Sequence, residues 1–291
     1  GHPESLPKGV PLVKAAIHDR DAVRRLLIEH RADAVMHFAA WLKVGESVEK
    51  PVDYYENNVV GTLAVLGAMR DAGVERFIFS STCAVYGEPA SVPIVESLPT
   101  NPINAYGESK LTIERALPHL ERAHGIKWMA LRYFNAAGAS KRFGEVHDPE
   151  THLIPLVLQV AMGQRSEIQI YGEDYPTPDG TAVRDYIHVS DLAQAHILAA
   201  KWLASGGESQ IFNLGNGAGF SVREVIETAR EVTGHAIPAQ TGPRRAGDPP
   251  VLVATSEAIT QKLGWQPKYP GLREIIEAAW QWHQKHPMGY E

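Results

Sequence analysis

Tyr106-Gly107-Glu108-Ser109-Lys110, preceded in the chain by Phe77-Ile78-Phe79-Ser80-Ser81-Thr82, is the stretch from which the rest of the sequence is read. The earlier run predicts a buried strand, because apolar and aromatic residues lead into three hydroxyls. Tyr106 and Lys110 sit four apart, so a helix running toward His124 places them on one face. There the ammonium favours the phenolate, and the Thr82 hydroxyl at the strand's end supplies a third member. This trio suits oxidation or reduction of an alcohol against a nicotinamide ring. A Tyr and a Lys also meet on ordinary surface helices. The strand before them, the Tyr86-Gly87 turn and the helix they open favour the catalytic reading.

Outward from this pair the pattern alternates strand and helix. Residues 10–15 read as a short strand, 21–30 as a helix with Val23, Leu26 and Leu27 at helical spacing, and 34–39 as a buried strand. A longer helix is expected over 52–71, with Val59, Leu63, Leu66 and Met69 on one side and Gly73 closing it. Strand 77–80, helix 106–124 and strand 128–132 continue the series. Such βαβα order predicts an α/β fold with a parallel sheet covered on both faces. Past Asn135, Pro and Gly become frequent. Helices are expected at 153–162, 190–203 and 272–286, a strand at 168–171, and a capping box at Ser221-Val222-Arg223-Glu224 opening a further helix. These elements read as a second, smaller lobe without a clean linker.

The bulk numbers exclude several classes of function. With 44% hydrophobic and 21% charged residues among 291, the chain has the composition of a globular protein. It carries 28 basic against 34 acidic residues, net −6, and no basic run longer than Arg24-Arg25 or Arg244-Arg245. Nucleic acid and an anionic membrane surface are therefore not expected as partners. Cys83 is the sole cysteine, which fits a reducing, cytoplasmic setting. The 13 histidines show no spacing to Cys or acid typical of a zinc site, so no metal is expected.

Together, His37-Phe38-Ala39-Ala40, Val44-Gly45-Glu46-Ser47, Tyr55-Glu56-Asn57-Asn58, the two opening runs, Leu131-Arg132-Tyr133-Phe134-Asn135, Val183-Arg184-Asp185-Tyr186-Ile187-His188-Val189 and Arg244-Arg245-Ala246-Gly247-Asp248 resemble the extended short-chain dehydrogenase/reductase superfamily. Within it, the chain resembles the UDP-glucose 4-epimerases, with Asp174-Tyr175-Pro176-Thr177-Pro178-Asp179-Gly180-Thr181 as a further matching run. The resemblance implies a Rossmann-like doubly wound sheet over 1–135, a mainly UDP-sugar-binding α/β lobe over 136–291 with some segments returning to the sheet, and NAD as cofactor. It also implies an opening β-α-β unit of about 30–40 residues ahead of Gly1, so that the given chain is expected to be incomplete. Gly215-Asn216-Gly217-Ala218-Gly219 comes too late to be that unit's phosphate turn, and Ala16 stands where relatives carry an acid near the adenine.

Carried over to this sequence, the resemblance makes Tyr106 the base, Lys110 its activator and ribose anchor, and Thr82 the assisting hydroxyl. Phe38, Ala39, Ala40, Asn57, Ser80 and Tyr133 would join Tyr106 and Lys110 around NAD. Thr82, Phe134, Asn135, His152 and Leu153 would touch substrate, Tyr171 the uracil, Arg184 and Arg245 the diphosphate, and Asp248 the ribose. Leu252 would gate the space around C2 of the hexose. The implied reaction is interconversion of UDP-galactose and UDP-glucose by C4 oxidation, rotation of the 4-keto sugar and re-reduction, in a homodimer paired through helices 52–71 and 106–124. A nucleotide-sugar 4,6-dehydratase is the first alternative, but Cys83-Ala84 stand where those enzymes place an Asp-Glu pair. A non-catalytic cofactor-binding relative is the second, though such proteins usually lose the Tyr or the Lys.

Overall fold

The computed structural model describes residues 2–245 and 248–290; Gly1, Ala246, Gly247 and Glu291, which fall within the expected opening loop, the Arg-x-Gly-Asp run and the C-terminus, lie outside the described residues. Three parallel strands, β1 (Val35–His37), β2 (Arg76–Thr82) and β3 (Lys127–Tyr133), lie side by side, and Gln210–Leu214 pairs in parallel with the far side of β3. β2 shows why both faces are covered. Phe77 and Phe79 pack in one cluster with Leu66, Met69, Ile113 and Leu117, whereas Ile78, one residue out of phase, packs with Met129, Leu131, Ala195 and Phe212. Helices Gly61–Ala72 and Ala105–His124 contribute to the first cluster and Val189–Ala204 to the second, which is the doubly wound α/β arrangement.

Three local expectations change. Residues 10–15 form no strand: Val10, Leu12 and Val13 are half-exposed, and no described segment offers them a ladder of backbone partners. β1 is shorter than expected and only partly buried, with Met36 exposed, since among the described residues it pairs with β2 alone. The 52–71 helix is interrupted by a π-helical turn, Tyr55–Val60, between Pro51–Tyr54 and Gly61–Ala72. A wider turn shifts the phase of the helical residues after it. Val59, Leu66 and Met69 therefore face the core while Leu63 is exposed.

The C-terminal half builds its own apolar cluster. Helices Leu153–Ala161, Val222–Thr233 and Leu272–Lys285 pack against strand Ile168–Tyr171. The Ser221–Glu224 capping box is present as read from the sequence. Short strands tie this part to the C-terminal end of the sheet. Asn135–Ala137, directly after β3, pairs with Tyr186–His188, and Val183–Arg184 pairs with Val251–Leu252 so that Arg184 and Leu252 lie in register. The buried Asp185 carboxylate fixes the junction by accepting the backbone N–H groups of Asn216, Gly217 and Ala254 at 2.7, 3.0 and 3.1 Å. No described helix is long and apolar enough to cross a membrane.

Candidate active site

Thr82 ends β2, and the chain returns to it through Asn104, whose side chain caps the Ala105–His124 helix by accepting the Gly107 N–H at 2.8 Å. Gly107 explains the close seat of that helix. A Cβ there would stand 2.6 Å from the Ala84 carbonyl oxygen, so any side chain would push the helix off the turn following Thr82. One turn along, the buried Lys110 donates from Nζ to the Ser80 carbonyl at 2.8 Å and lies 5.0 Å from the Phe79 ring centre. Ser109, between the two, accepts a 3.1 Å bond from Asn58 Nδ2, and Asn58 also engages both backbone groups of Trp41.

The electrostatics differ from the sequence expectation. Burial pushes the Tyr106 phenol up to about 12, with the neighbouring Thr82 hydroxyl acting in the lowering direction. Burial also brings the Lys110 ammonium down to about 7. The expected depression of the phenol by the ammonium is absent. Lys110 Nζ is committed to the Ser80 carbonyl and stands 6.0 Å from the Tyr106 ring centre, so loss of water governs both groups. His37 is the satisfied core histidine that its setting suggests: its Nε2 lies 2.9 Å from Thr62 Oγ1, and burial lowers it to about 4.

Two adjoining cavities receive most of the residues singled out from the sequence. The larger, about 470 Å³, is walled by Phe38, Ala40, Ser80, Thr82, Tyr106, Lys110, Tyr133, Phe134, Asn135, His152, Asp248 and Leu252. Its neighbour, about 250 Å³, shares Asn135, His152 and Asp248 and adds Leu153, Tyr171, Arg184 and Arg245. Ala39 and Asn57 line neither cavity; the Asn57 amide donates to Asn58 Oδ1 at 2.9 Å. The Arg184 guanidinium is paired with the Asp248 carboxylate, so these two expected substrate contacts hold each other. The Arg245 guanidinium sits 3.9 Å above the Tyr171 ring centre.

Several features escaped the sequence reading. Beneath Thr82, Ser81 Oγ donates to Glu114 Oε1 at 2.5 Å, Arg132 bonds both Glu114 oxygens, and its other arm donates to the Tyr86 hydroxyl at 2.7 Å, which in turn donates to Asn213 Oδ1. Asn104 carried a legible signal, an Asn just ahead of a helical pattern. Glu145, His147, Glu150 and His152 also converge, and the signal there was a twice-repeated Glu-x-His.

Residues 1–215 match the family model described as NAD dependent epimerase/dehydratase family. The UDP-glucose 4-epimerase of Halalkalibacterium halodurans is 53% identical over all of this chain and 87% of its own. A crystal structure of a UDP-glucose 4-epimerase superposes with a TM-score of 0.98 at 52% identity, covering 100% of this chain and 89% of that one. The UDP-glucose 4-epimerase of Bifidobacterium longum, solved in complex with NAD+ and UDP, gives a TM-score of 0.90 at 39% identity over 97% of this chain and 85% of its own. With a sheet of this topology and likeness of this extent, the chain belongs to the NAD dependent epimerase/dehydratase family, among the UDP-glucose 4-epimerases.

Proposed function

We propose that this chain interconverts UDP-glucose and UDP-galactose at C4, with Tyr106 as the proton-transferring residue. The observation that carries the reading is convergence: Thr82, Tyr106 and Lys110 open onto the same cavity as Phe134, Asn135 and Leu252, and that cavity adjoins one lined by Tyr171, Arg184 and Arg245. The residues fit NAD. The ammonium of Lys110 has three donors and spends one on Ser80, leaving two for ribose hydroxyls, while Phe38 and Ala40 give the cavity an apolar side. Ser80 and Tyr133 would complete that part of the binding surface. When bound, NAD supplies the reversible two-electron oxidation of the C4 carbinol and is regenerated in each turnover.

The chain's own part is proton transfer and grip. Tyr106 Oη takes the proton from the C4 hydroxyl and later returns it, with Thr82 hydrogen-bonding the same oxygens. Burial alone favours the neutral phenol, and the positive charge of the oxidised nicotinamide, when bound, would favour the phenolate that this step needs. The smaller cavity holds the nucleotide: Tyr171 offers a ring face to the uracil, Arg184 and Arg245 offer forked donors to the diphosphate, and Asp248 accepts from the ribose. His152 and Leu153 border the same end. Remote binding energy of this kind keeps the oxidised sugar from leaving while it turns in the larger cavity.

Incubation of the protein with UDP-galactose and NAD tests the reading. Formation of UDP-glucose supports it, a 4-keto-6-deoxy product identifies a dehydratase, and binding without turnover identifies a sensing protein. A homodimer accompanies the proposal, paired through the Gly61–Ala72 and Ala105–His124 helices, because Val60 and Leu63 stand exposed beside the first of them. Light scattering that finds only monomer at micromolar concentration would remove this part. A division near residue 135 into a cofactor lobe and a substrate lobe, and a reducing cytoplasmic location for Cys83, belong to the same reading.

A further inference from the structure

The connection between Asn135–Ala137 and the Leu153–Ala161 helix runs through residues 138–152 without a helix or strand of its own. Structureless connections of this length are uncommon in compact proteins unless something holds them or they carry a function. Its second half, Glu145-Val146-His147-Asp148-Pro149-Glu150-Thr151-His152, contains two Glu-x-His pairs. The fold brings all four side chains together, one donor atom from each lying within 4.8 Å of every other.

The two imidazoles and two carboxylates approach one another at ion-pair distance. His147 Nδ1 lies 3.1 Å from Glu145 Oε1 and 3.5 Å from Glu150 Oε2, and His152 Nδ1 lies 2.9 Å from an oxygen of each carboxylate. Ligand atoms at the corners of a tetrahedron with bonds of about 2.0–2.1 Å to its centre are roughly 3.3–3.4 Å apart. Glu145 Oε1 lies near that spacing from both Nδ1 atoms, and Glu150, which reaches His147 through Oε2 and His152 through Oε1, can turn either oxygen to the centre. His147 Nδ1 supplies an independent indication. It is buried without a hydrogen-bond partner, because its short approach to Glu145 is not aligned as a hydrogen bond. A buried ring nitrogen that faces two carboxylates without an aligned hydrogen bond suits a cation at their centre, which it binds on giving up its proton. Two carboxylates balance the charge of a divalent ion, and two imidazoles with two carboxylate oxygens form a borderline-soft, four-coordinate set.

We propose that Glu145, His147, Glu150 and His152 bind one divalent zinc-class ion, which clips the 145–152 loop into a fixed wall of the substrate cavity. The loop is placed for that task. Glu145, His147 and His152 line the larger cavity, Thr151 and His152 the smaller, and His152 leads directly into the Leu153–Ala161 helix. A metal crosslink orders such a connection by removing the chain entropy that would otherwise let it open. The ion is structural; the proton transfer at Tyr106 does not involve it.

Zinc is titrated into metal-stripped protein in competition with a chromophoric chelator, for the wild type, His147→Ala and Glu150→Gln. One equivalent per chain is expected for the wild type, with affinity at least about 100-fold weaker in either variant. Trypsin provides a second reading, since Lys141 and Arg142 are exposed in the same connection. Zinc should slow cleavage there by at least ~10-fold in the wild type and leave the rate in His147→Ala unchanged. Zinc X-ray absorption on the wild type keeps the proposal open to refutation should the variants misfold, with two imidazoles and two oxygens at about 2.0–2.1 Å as the expected shell. Absence of stoichiometric binding, equal affinity in the folded variants, or a shell without imidazole would overturn it.

Discussion

The Arg132 guanidinium grips the Glu114 carboxylate with two hydrogen bonds, 2.9 Å from Nε and 2.5 Å from Nη2, in the buried wedge between β3 and the helix that carries Tyr106 and Lys110. Because Glu114 also accepts from Ser81, the residue before Thr82, one ion pair ties β2, β3 and that helix together. Both side chains are almost fully buried, at 4% and 2% exposure, so neither has water to fall back on if its partner is lost.

Glu114→Ala is therefore expected to destabilise the protein by about 3–5 kcal/mol, the usual cost of leaving one member of a buried pair uncompensated. Replacing both residues, as Glu114→Leu with Arg132→Met, should cost much less, because no charge is then stranded. Urea unfolding midpoints measure both. A single variant within about 1 kcal/mol of wild type would show that the pair does not hold the wedge.

Tyr106→Phe removes the phenolic oxygen while keeping the ring. Turnover of UDP-galactose should fall by at least about 10²-fold with UDP affinity near the wild-type value, since the lost interaction belongs to proton transfer and not to nucleotide grip. Steady-state kinetics beside UDP titration separate these effects. Full activity in the variant would move the proton to another group.

Lys110 makes stability depend on pH in a direction opposite to that of a salt-bridged lysine. Burial lowers the native ammonium to about 7, whereas an unfolded lysine titrates near 10.4. Between these values the unfolded chain binds the proton that the native chain has released, so this group's contribution to stability rises with pH. Below about 7 its full cost is present, and Lys110→Met relieves it. Denaturation without added NAD at pH 6.5 and 9.5 should show the variant's advantage over wild type shrinking as pH rises. Tyr106, raised to about 12, binds the native proton more tightly and turns the trend only above about pH 10. An advantage independent of pH would mean that Lys110 keeps an ordinary ammonium in the fold.

What could be read from the sequence was local. The strand before Thr82, the four-residue spacing of Tyr106 and Lys110, the Ser221–Glu224 cap and the amphipathic last helix each depend on a few neighbouring residues, and each is found in place. The wedge beneath them was not legible, because Ser81, Glu114 and Arg132 meet only when the strands and helix pack. The π turn at Tyr55–Val60 left no mark in residue spacing either, and it put Leu63 on the wrong side. The bond from Lys110 to the Ser80 carbonyl was not legible for a related reason: sequence separation fixes which face a lysine shares but not where its Nζ points.

Leu252 walls the larger cavity beside Asp248 and Pro249, in register with Arg184 and packed against the cluster containing Phe134 and Val85. It thus stands at the border between the space that Tyr106 faces and the arginine-bearing cavity. A leucine at that border is shorter than a phenol ring and leaves room for a substituent on the hexose, though an apolar side chain offers an acetamido group no hydrogen bond. UDP-galactose is accordingly expected to be the better substrate, with measurable turnover of UDP-N-acetylgalactosamine. Leu252→Tyr fills the space and should lower kcat/KM for the N-acetylated sugar by about 10- to 100-fold, in keeping with the ~1–3 kcal/mol of a single steric contact. UDP-galactose should change by less than about threefold. Wild-type protein that cannot turn over the N-acetylated substrate, or a tyrosine variant that keeps this activity undiminished, would show that another residue sets sugar choice.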